Sequence, residues 1–292
     1  MFRIFVFCWF FLTVLGHASS YPYISENTWR DFSTWKLTDF AQFDPTAVKQ
    51  GDTIFVKRRL LHEFERRYLP QISHPFILLT EGGKDTAWPQ YHRALLASDK
   101  VLAWFLQNGN GQIHEKIHPL PMGLSGNEWN KSKIDDWHHW IRQSLLRKNK
   151  DFFAYLPSST SMRLPGSRSS LEWLSSLSFV MVPKKTKLPH QYFQDLANSI
   201  FVLVYTEDGL DCPLIWEALL MGCFPVVKSS PLNSFYEGFP IVILERWEEL
   251  TMDLLQAKYK EFKSQTWPRE KLYAPYRFQI IHTLQTSCRK LS

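Results

Sequence analysis

Two carboxylates, two arginines and a set of small hydroxyl and glycine residues have the types and spacing to hold a ligand that carries both a diol and a diphosphate. Glu217 lies inside the segment Leu214 to Met221, which reads as a helix opened by Pro213 and stopped by Gly222. That helix follows an apolar run, Ile200 to Val204, of strand length and β-branched content. A carboxylate a turn or so into such a helix can accept hydrogen bonds from a diol such as a ribose. The amides that open the helix favour an anion such as a pyrophosphate. Thr206, Gly209 and Asp211 fall in the turn between strand and helix, and Ser229 and Ser230 in the turn after the next apolar run, Phe224 to Val227. Ligands of parallel sheets sit at the carboxyl ends of the strands, so these turns should line one crevice. Arg163 and Arg168 follow another strand, Phe152 to Leu156, where guanidinium groups can clamp a diphosphate bidentately. The plainer reading makes Glu217 a solvated helix residue and both arginines part of a solvated loop.

The elements that would position these residues alternate in βαβ fashion. In the second half, a further run at Ile241 to Leu244 follows a short segment ending at Tyr236. In the first half, strands are predicted at Thr53 to Lys57, Phe76 to Thr80, Val101 to Leu106 and Ile117 to Met122, with a helix at Leu60 to Tyr68. The strand Phe76 to Thr80 ends in the turn Glu81-Gly82-Gly83-Lys84-Asp85. Trp129 to Lys150, with Trp137, Ile141 and Leu145 at helical spacing, reads as the helix and linker between halves. The tail from Trp267 reads as an amphipathic helix with Leu272, Tyr276, Ile280 and Leu284 on one stripe. The expected architecture is therefore α/β, two Rossmann-like domains with mostly parallel sheets flanked by helices: 21 to 147, and 148 to 292 with the closing helix.

At 292 residues and 45% hydrophobic content the chain can bury two cores of ordinary size. Its net charge of +6 is mild and unclustered, which suits an anionic ligand and argues against nucleic acid as a partner. Residues 1 to 20 read as a secretory signal: Arg3, an apolar run from Ile4 to Gly16, then Ala18-Ser19-Ser20. That run is shorter than the ~20 residues a membrane span needs, so no span is expected after cleavage; an uncleaved signal anchor is the alternative. Removing the leader also removes Cys8 and leaves Cys212, Cys223 and Cys288, an odd number. Cys212 and Cys223 flank opposite ends of one helix, roughly 15 Å apart, too far to bridge. Asn130-Lys131-Ser132 is a glycosylation sequon.

His114-Glu115-Lys116-Ile117-His118 has the HExxH spacing of a zinc peptidase, whose chemistry requires both histidines on one helix face. Gly109 and Gly111 before it and Pro119 and Pro121 after it leave room for barely a turn of helix. Strand is expected there instead, without zinc.

One longer pattern remains. Gly209-Leu210-Asp211-Cys212, Trp216-Glu217-Ala218-Leu219, Met221-Gly222-Cys223-Phe224-Pro225, Ser229-Ser230-Pro231-Leu232 and Tyr236-Glu237-Gly238-Phe239-Pro240 stand in the order and spacing of exostosin-like glycosyltransferases. The chain resembles the donor-binding half of that family here, and more loosely its N-terminal half through Gln50-Gly51-Asp52-Thr53 and Phe76-Ile77-Leu78-Leu79-Thr80. The resemblance implies a GT-B fold and transfer of sugar from a nucleotide-sugar donor to a glycan or glycoconjugate acceptor in the secretory pathway. It implies no metal or other cofactor, with the nucleotide sugar as co-substrate. It puts Glu217 on the ribose and Arg168 at an arginine that precedes the next helix. Asp85, in the cleft-facing turn, is the candidate general base. Where relatives of this type carry a Ser-Pro-Pro-Gly-like turn and a His-Arg pair, this chain has Val204-Tyr205-Thr206-Glu207 and Pro213-Leu214. Those changes motivate the alternative of a non-catalytic paralogue that binds sugar or serves as a scaffold.

Overall fold

The computed structural model describes residues 20–25, 27–39, 43–82, 88–111, 113–125, 131–147, 149–157, 168–183, 189–205 and 210–290. Residues 1 to 19 of the segment read as a signal, the candidate base Asp85, and Arg163, Thr206, Gly209 and Asn130 all lie outside them.

A first sheet contains β1 (Trp35–Leu37), β2 (Thr53–Val56), β3 (Phe76–Thr80), β4 (Val101–Gln107) and β5 (Ile117–Leu120), all parallel and in sequential order. Right-handed crossovers in a sequential sheet carry every connection over one face and leave the other to be covered by something else. Period-two alternation separates the faces cleanly. Ile54, Val56, Leu78, Trp104 and Leu106 pack with Leu61, Phe64 and Leu95 from the connections. Phe55, Ile77, Leu79, Ala103 and Phe105 face the other way, onto Trp29 and Phe32 of α1 (Thr28–Phe32) and Phe278 and Ile281 of the C-terminal helix. Strands buried on both faces read as unbroken apolar runs, and this is why the first half was legible as parallel sheet. The connection after β2 carries α2 (Leu61–Glu63) and continues as a π-helical turn over Phe64–Tyr68; α3 (Arg93–Ala97) leads into β4.

After α4 (Lys131–Leu146) comes a second all-parallel sheet, formed by β6 (Phe152–Tyr155), β7 (Val180–Met181), β8 (Ser199–Leu203), β9 (Phe224–Lys228) and β10 (Val242–Leu244). Its order is β10-β9-β8-β6-β7. The chain goes to one side of β6 and then returns to the other, which creates a topological switch point between β6 and β8. The helices are α5 (Arg168–Ser176), α6 (Pro189–Ala197), α7 (Pro213–Leu220), α8 (Met252–Ser264) and α9 (Ala274–Arg289). The protein is thus α/β with two parallel five-stranded sheets flanked by helices, a two-domain Rossmann-like layout. Among the described residues, no helix is long and apolar enough to cross a membrane.

The closing helix differs from its sequence reading. α9 begins at Ala274, after a separate 3-10 turn at Arg269–Leu272, and buries Ala274, Phe278, Ile281, Gln285 and Cys288. Ile280 and Leu284, on the expected stripe, are exposed. A strict four-residue spacing advances about 40° per step around a helix, whereas the observed spacing alternates four and three and stays on one face. That face lies on the first sheet. Phe278 stacks on Phe32 with ring centroids 4.2 Å apart. Gln285 donates to the Gly51 carbonyl at 2.8 Å, and Gln50 donates to the Cys288 carbonyl at 2.8 Å.

Candidate functional site

α7 occupies the expected place and has the expected ends. Pro213 sits in its first turn, and Gly222, at φ +67°, follows the C-cap Met221. There Gly222 donates to the Leu219 carbonyl and Cys223 to the Ala218 carbonyl, closing the helix as a left-handed glycine permits. Arg269 adds a bond from its guanidinium to the Leu220 carbonyl at 3.1 Å.

Both candidate carboxylates at the start of this unit are buried, and both reach across to the first half of the chain. Asp211, 3% exposed, accepts from the Met122 amide at 2.8 Å, from the Trp216 indole at 2.8 and 2.9 Å, and from the Tyr236 hydroxyl at 3.3 Å. Its own amide donates to the Asn108 side-chain oxygen at 2.9 Å. Asn108 follows β4 at φ +56°, a backbone conformation that asparagine tolerates better than most residues. Glu217, 2% exposed, accepts from the amide of Ser125 at 3.1 Å and from its hydroxyl at 2.8 Å; its other oxygen takes a short bond from the Tyr192 hydroxyl. Burial and the adjacent Glu217 charge push the Tyr192 phenol well above its usual range, so it stays a donor. A ribose diol would have to displace Ser125 or Tyr192 to reach this carboxylate.

Burial pushes the Asp211 carboxyl up to about 7, against the hydrogen bonds from Met122, Trp216 and Tyr236, which favour its charged form. Unfolded, the same group titrates near pH ~4. Between those values the folded chain holds the extra proton, so stability falls as pH rises, by up to about 1.4 kcal/mol per pH unit from this group. We expect denaturant midpoints to decline between pH 4.5 and 7, and Asp211→Asn to flatten that slope. An unchanged slope in the variant would remove Asp211 from the account.

A cavity of about 440 Å³ lies where Arg277 feels the charge of Asp211; neither Asp211 nor Glu217 lines it. One wall comes from Gly109 and Gly111 beyond the carboxyl end of β4, the other from Pro231 and Phe235 beyond the carboxyl end of β9, and α9 contributes Tyr276 and Arg277. Lys271 also borders it. The Arg277 guanidinium carbon lies 5.5 Å from the Phe235 ring centroid and 5.7 Å from that of Tyr276. Its Nε is buried and has no hydrogen-bond partner among the described residues. Burial lowers its pKa to about 10, with Tyr276 and Asp211 opposing, so it is a cation at neutral pH. A buried donor left unsatisfied costs about 1–3 kcal/mol.

Ser229 and Ser230 form the turn that leads into this wall, where their polar groups are held locally. Asn233 donates to the Ser229 hydroxyl at 2.9 Å and accepts from the Ser230 amide at 2.9 Å, while the Ser230 hydroxyl accepts from the Leu232 amide at 3.2 Å. Arg168 opens α5, as expected of it, with its side chain outside the described residues. Glu81 and Gly82 start the loop after β3. A Cβ on Gly82 would meet the Gln107 carbonyl oxygen at 2.6 Å, so that close approach requires glycine. The structure therefore brings Asp211 and Glu217 together at the contact between the halves and sets Ser229 and Ser230 at the cavity's edge. Asn108, Ser125, Tyr192, Lys271 and Arg277 escaped sequence reading. Only Lys271 and Arg277 carried a local signal, as part of a basic and aromatic tail from Trp267.

The HExxH segment is turn followed by strand. The Lys116 amide donates to the His114 ring nitrogen at 3.1 Å, β5 begins at Ile117, and His118 stacks on Phe105 with centroids 4.8 Å apart. A helix face presenting both histidines is missing. Cys212, Cys223 and Cys288 are free.

No protein-family model matches this chain, and a search of curated proteins finds no match to it.

Proposed function

We propose that the protein is a GT-B-type glycosyltransferase of exostosin-like character, moving sugar from a nucleotide-sugar donor to a glycan or glycoconjugate acceptor in the secretory pathway. The observation that carries the reading is the aromatic-walled cavity between the carboxyl ends of strands from two parallel sheets, where Lys271 and Arg277 outnumber the single acid, Glu237. Open parallel sheets bind ligands outside those ends, and a preorganised cation there stabilises charge developing on a leaving diphosphate. The β6/β8 switch point adds support, because the segments carrying Arg163 and Thr206 follow those two strands directly. In this reading Asp85 serves as base for the acceptor hydroxyl and Glu217 and Arg168 hold the donor.

A second reading, a non-catalytic paralogue that binds sugar or acts as a scaffold, is favoured by one observation. Both Asp211 and Glu217 already have their oxygens engaged by donors of the protein itself.

Thermal shift against a panel of nucleotides, nucleotide sugars and glycans tests both. A donor at 100 times its Kd should add about 2.7 kcal/mol of stability. Arg277→Gln should weaken that donor about tenfold to a hundredfold, the worth of one charge-assisted hydrogen bond. Stabilisation by glycans alone would favour the sugar-binding paralogue; stabilisation by neither would overturn the transferase reading.

A further inference from the structure

The connections that cover the first sheet bring together a cluster that the proposed transfer does not use. His62 and Glu65 lie one turn apart on the segment after β2, and His92 immediately precedes α3. One ligand atom from each of the three lies within 4.8 Å of the others. The Glu65 Oε2 atom is 3.0 Å from His92 Nδ1 and 4.0 Å from His62 Nδ1. We propose that these residues form a binding site for a divalent transition metal, zinc above all, with water as the remaining ligand.

Four features of the site support this. Zinc bonds to imidazole and carboxylate of about 2.0–2.2 Å place tetrahedral ligand atoms roughly 3.3–3.5 Å apart. The present distances bracket that value, and the adjustment falls on His62, whose side chain is 75% exposed and has room to move. Glu65 is already oriented, because its other oxygen accepts from the amides of Ala94 at 2.9 Å and Leu95 at 3.3 Å. Such an outer contact fixes a ligating carboxylate and leaves Oε2 aimed at the histidines. His92 is fixed as well: its ring meets Trp104 edge-on at 6.1 Å, and Trp104 is pinned by its indole bond to Thr80 at 3.0 Å. Finally, the helix carrying His62 and Glu65 widens into a π-helical turn from Phe64, an irregularity that often marks a functional position.

Two imidazoles and one carboxylate select the metal class. Calcium and magnesium prefer all-oxygen shells, and a thiolate-seeking ion finds no sulfur here, whereas zinc and its neighbours accept this set. A bound ion would tie the segment after β2 to the start of α3, across the face of the sheet. It would do so whether or not the cleft transfers sugar, so the site stands apart from the functional proposal.

The test uses the full-length protein, stripped by chelator and titrated with zinc, with cobalt as spectroscopic probe. One zinc per chain should bind and raise the melting temperature. His62→Ala, an exposed change that should leave the fold intact, and Glu65→Gln should each weaken binding at least tenfold. His114→Ala, in the HExxH segment, should leave it unchanged. Cobalt should give the visible bands of a nitrogen and oxygen site without a thiolate charge-transfer band, a reading on the wild type that needs no variant to fold. Failure to bind zinc, binding unaffected by His62→Ala, or a thiolate band would each overturn the proposal.

Discussion

Asp211→Ala should lower unfolding free energy at neutral pH by about 3 kcal/mol or more, the largest effect we expect from a single side chain near the cleft. The change strips the acceptor from the Met122 amide, the Trp216 indole and the Tyr236 hydroxyl at once. Each buried donor so orphaned costs about 1–3 kcal/mol, and relief of the carboxylate's own desolvation offsets part of the sum. Because Met122 belongs to the first half and Trp216 and Tyr236 to the second, the loss should also weaken the coupling between them. Denaturation followed by tryptophan fluorescence and by far-UV circular dichroism measures both effects. Transitions that coincide in the wild type should separate in the variant. A midpoint change worth less than 1 kcal/mol would mean that water replaces the carboxylate at little cost.

Glu217 carries the second expectation, and here the structure changes what the residue should do. A solvated or purely ligand-holding glutamate could be replaced with almost no loss of stability, since exposed substitutions usually stay within about 0.5 kcal/mol. Buried among Ser125 and Tyr192, it should instead cost about 2–4 kcal/mol on replacement by alanine. Glu217→Gln should cost about 1 kcal/mol, because one oxygen can still serve Ser125 while Tyr192 turns to accept from the new amide. If the glutamate also holds a ribose, Glu217→Gln should in addition weaken nucleotide binding by roughly 1.5–3 kcal/mol. Thermal unfolding with and without nucleotide separates the two losses. An alanine variant as stable as the wild type would show that Ser125 and Tyr192 gain nothing from this carboxylate.

Local elements were legible in the sequence wherever one rule governed them. The strand at Phe76–Thr80 and the helix at Pro213–Leu220 fall within a residue of expectation. The first is an uninterrupted apolar run, and the second is bracketed by Pro213 and Gly222. Trp35–Leu37 and Val180–Met181 went unread because three and two residues are too short to display a period. The segment Leu60 to Tyr68, expected as one helix, is instead 3-10, α and π turns in succession. Those forms share the same side-chain spacing to within a residue per turn, so periodicity cannot separate them.

What the sequence by itself determined is the class: α/β with parallel sheets, because apolar runs of strand length separated by helical spacing admit few other solutions. It also determined the bounds of α7 and the absence of a helix at His114 to His118, since proline and glycine act on their own backbone. Only the tertiary structure decided the strand orders, the sheet that α9 covers, and the partners of the polar groups. Asp211 meets a residue 89 positions away and Glu217 one 92 away, while His92 meets Glu65 across 27. A carboxylate accepts a hydrogen bond equally from a ribose, a serine or a histidine. Which of them it receives is set by the chain that folds against it, and that information is not local to the carboxylate.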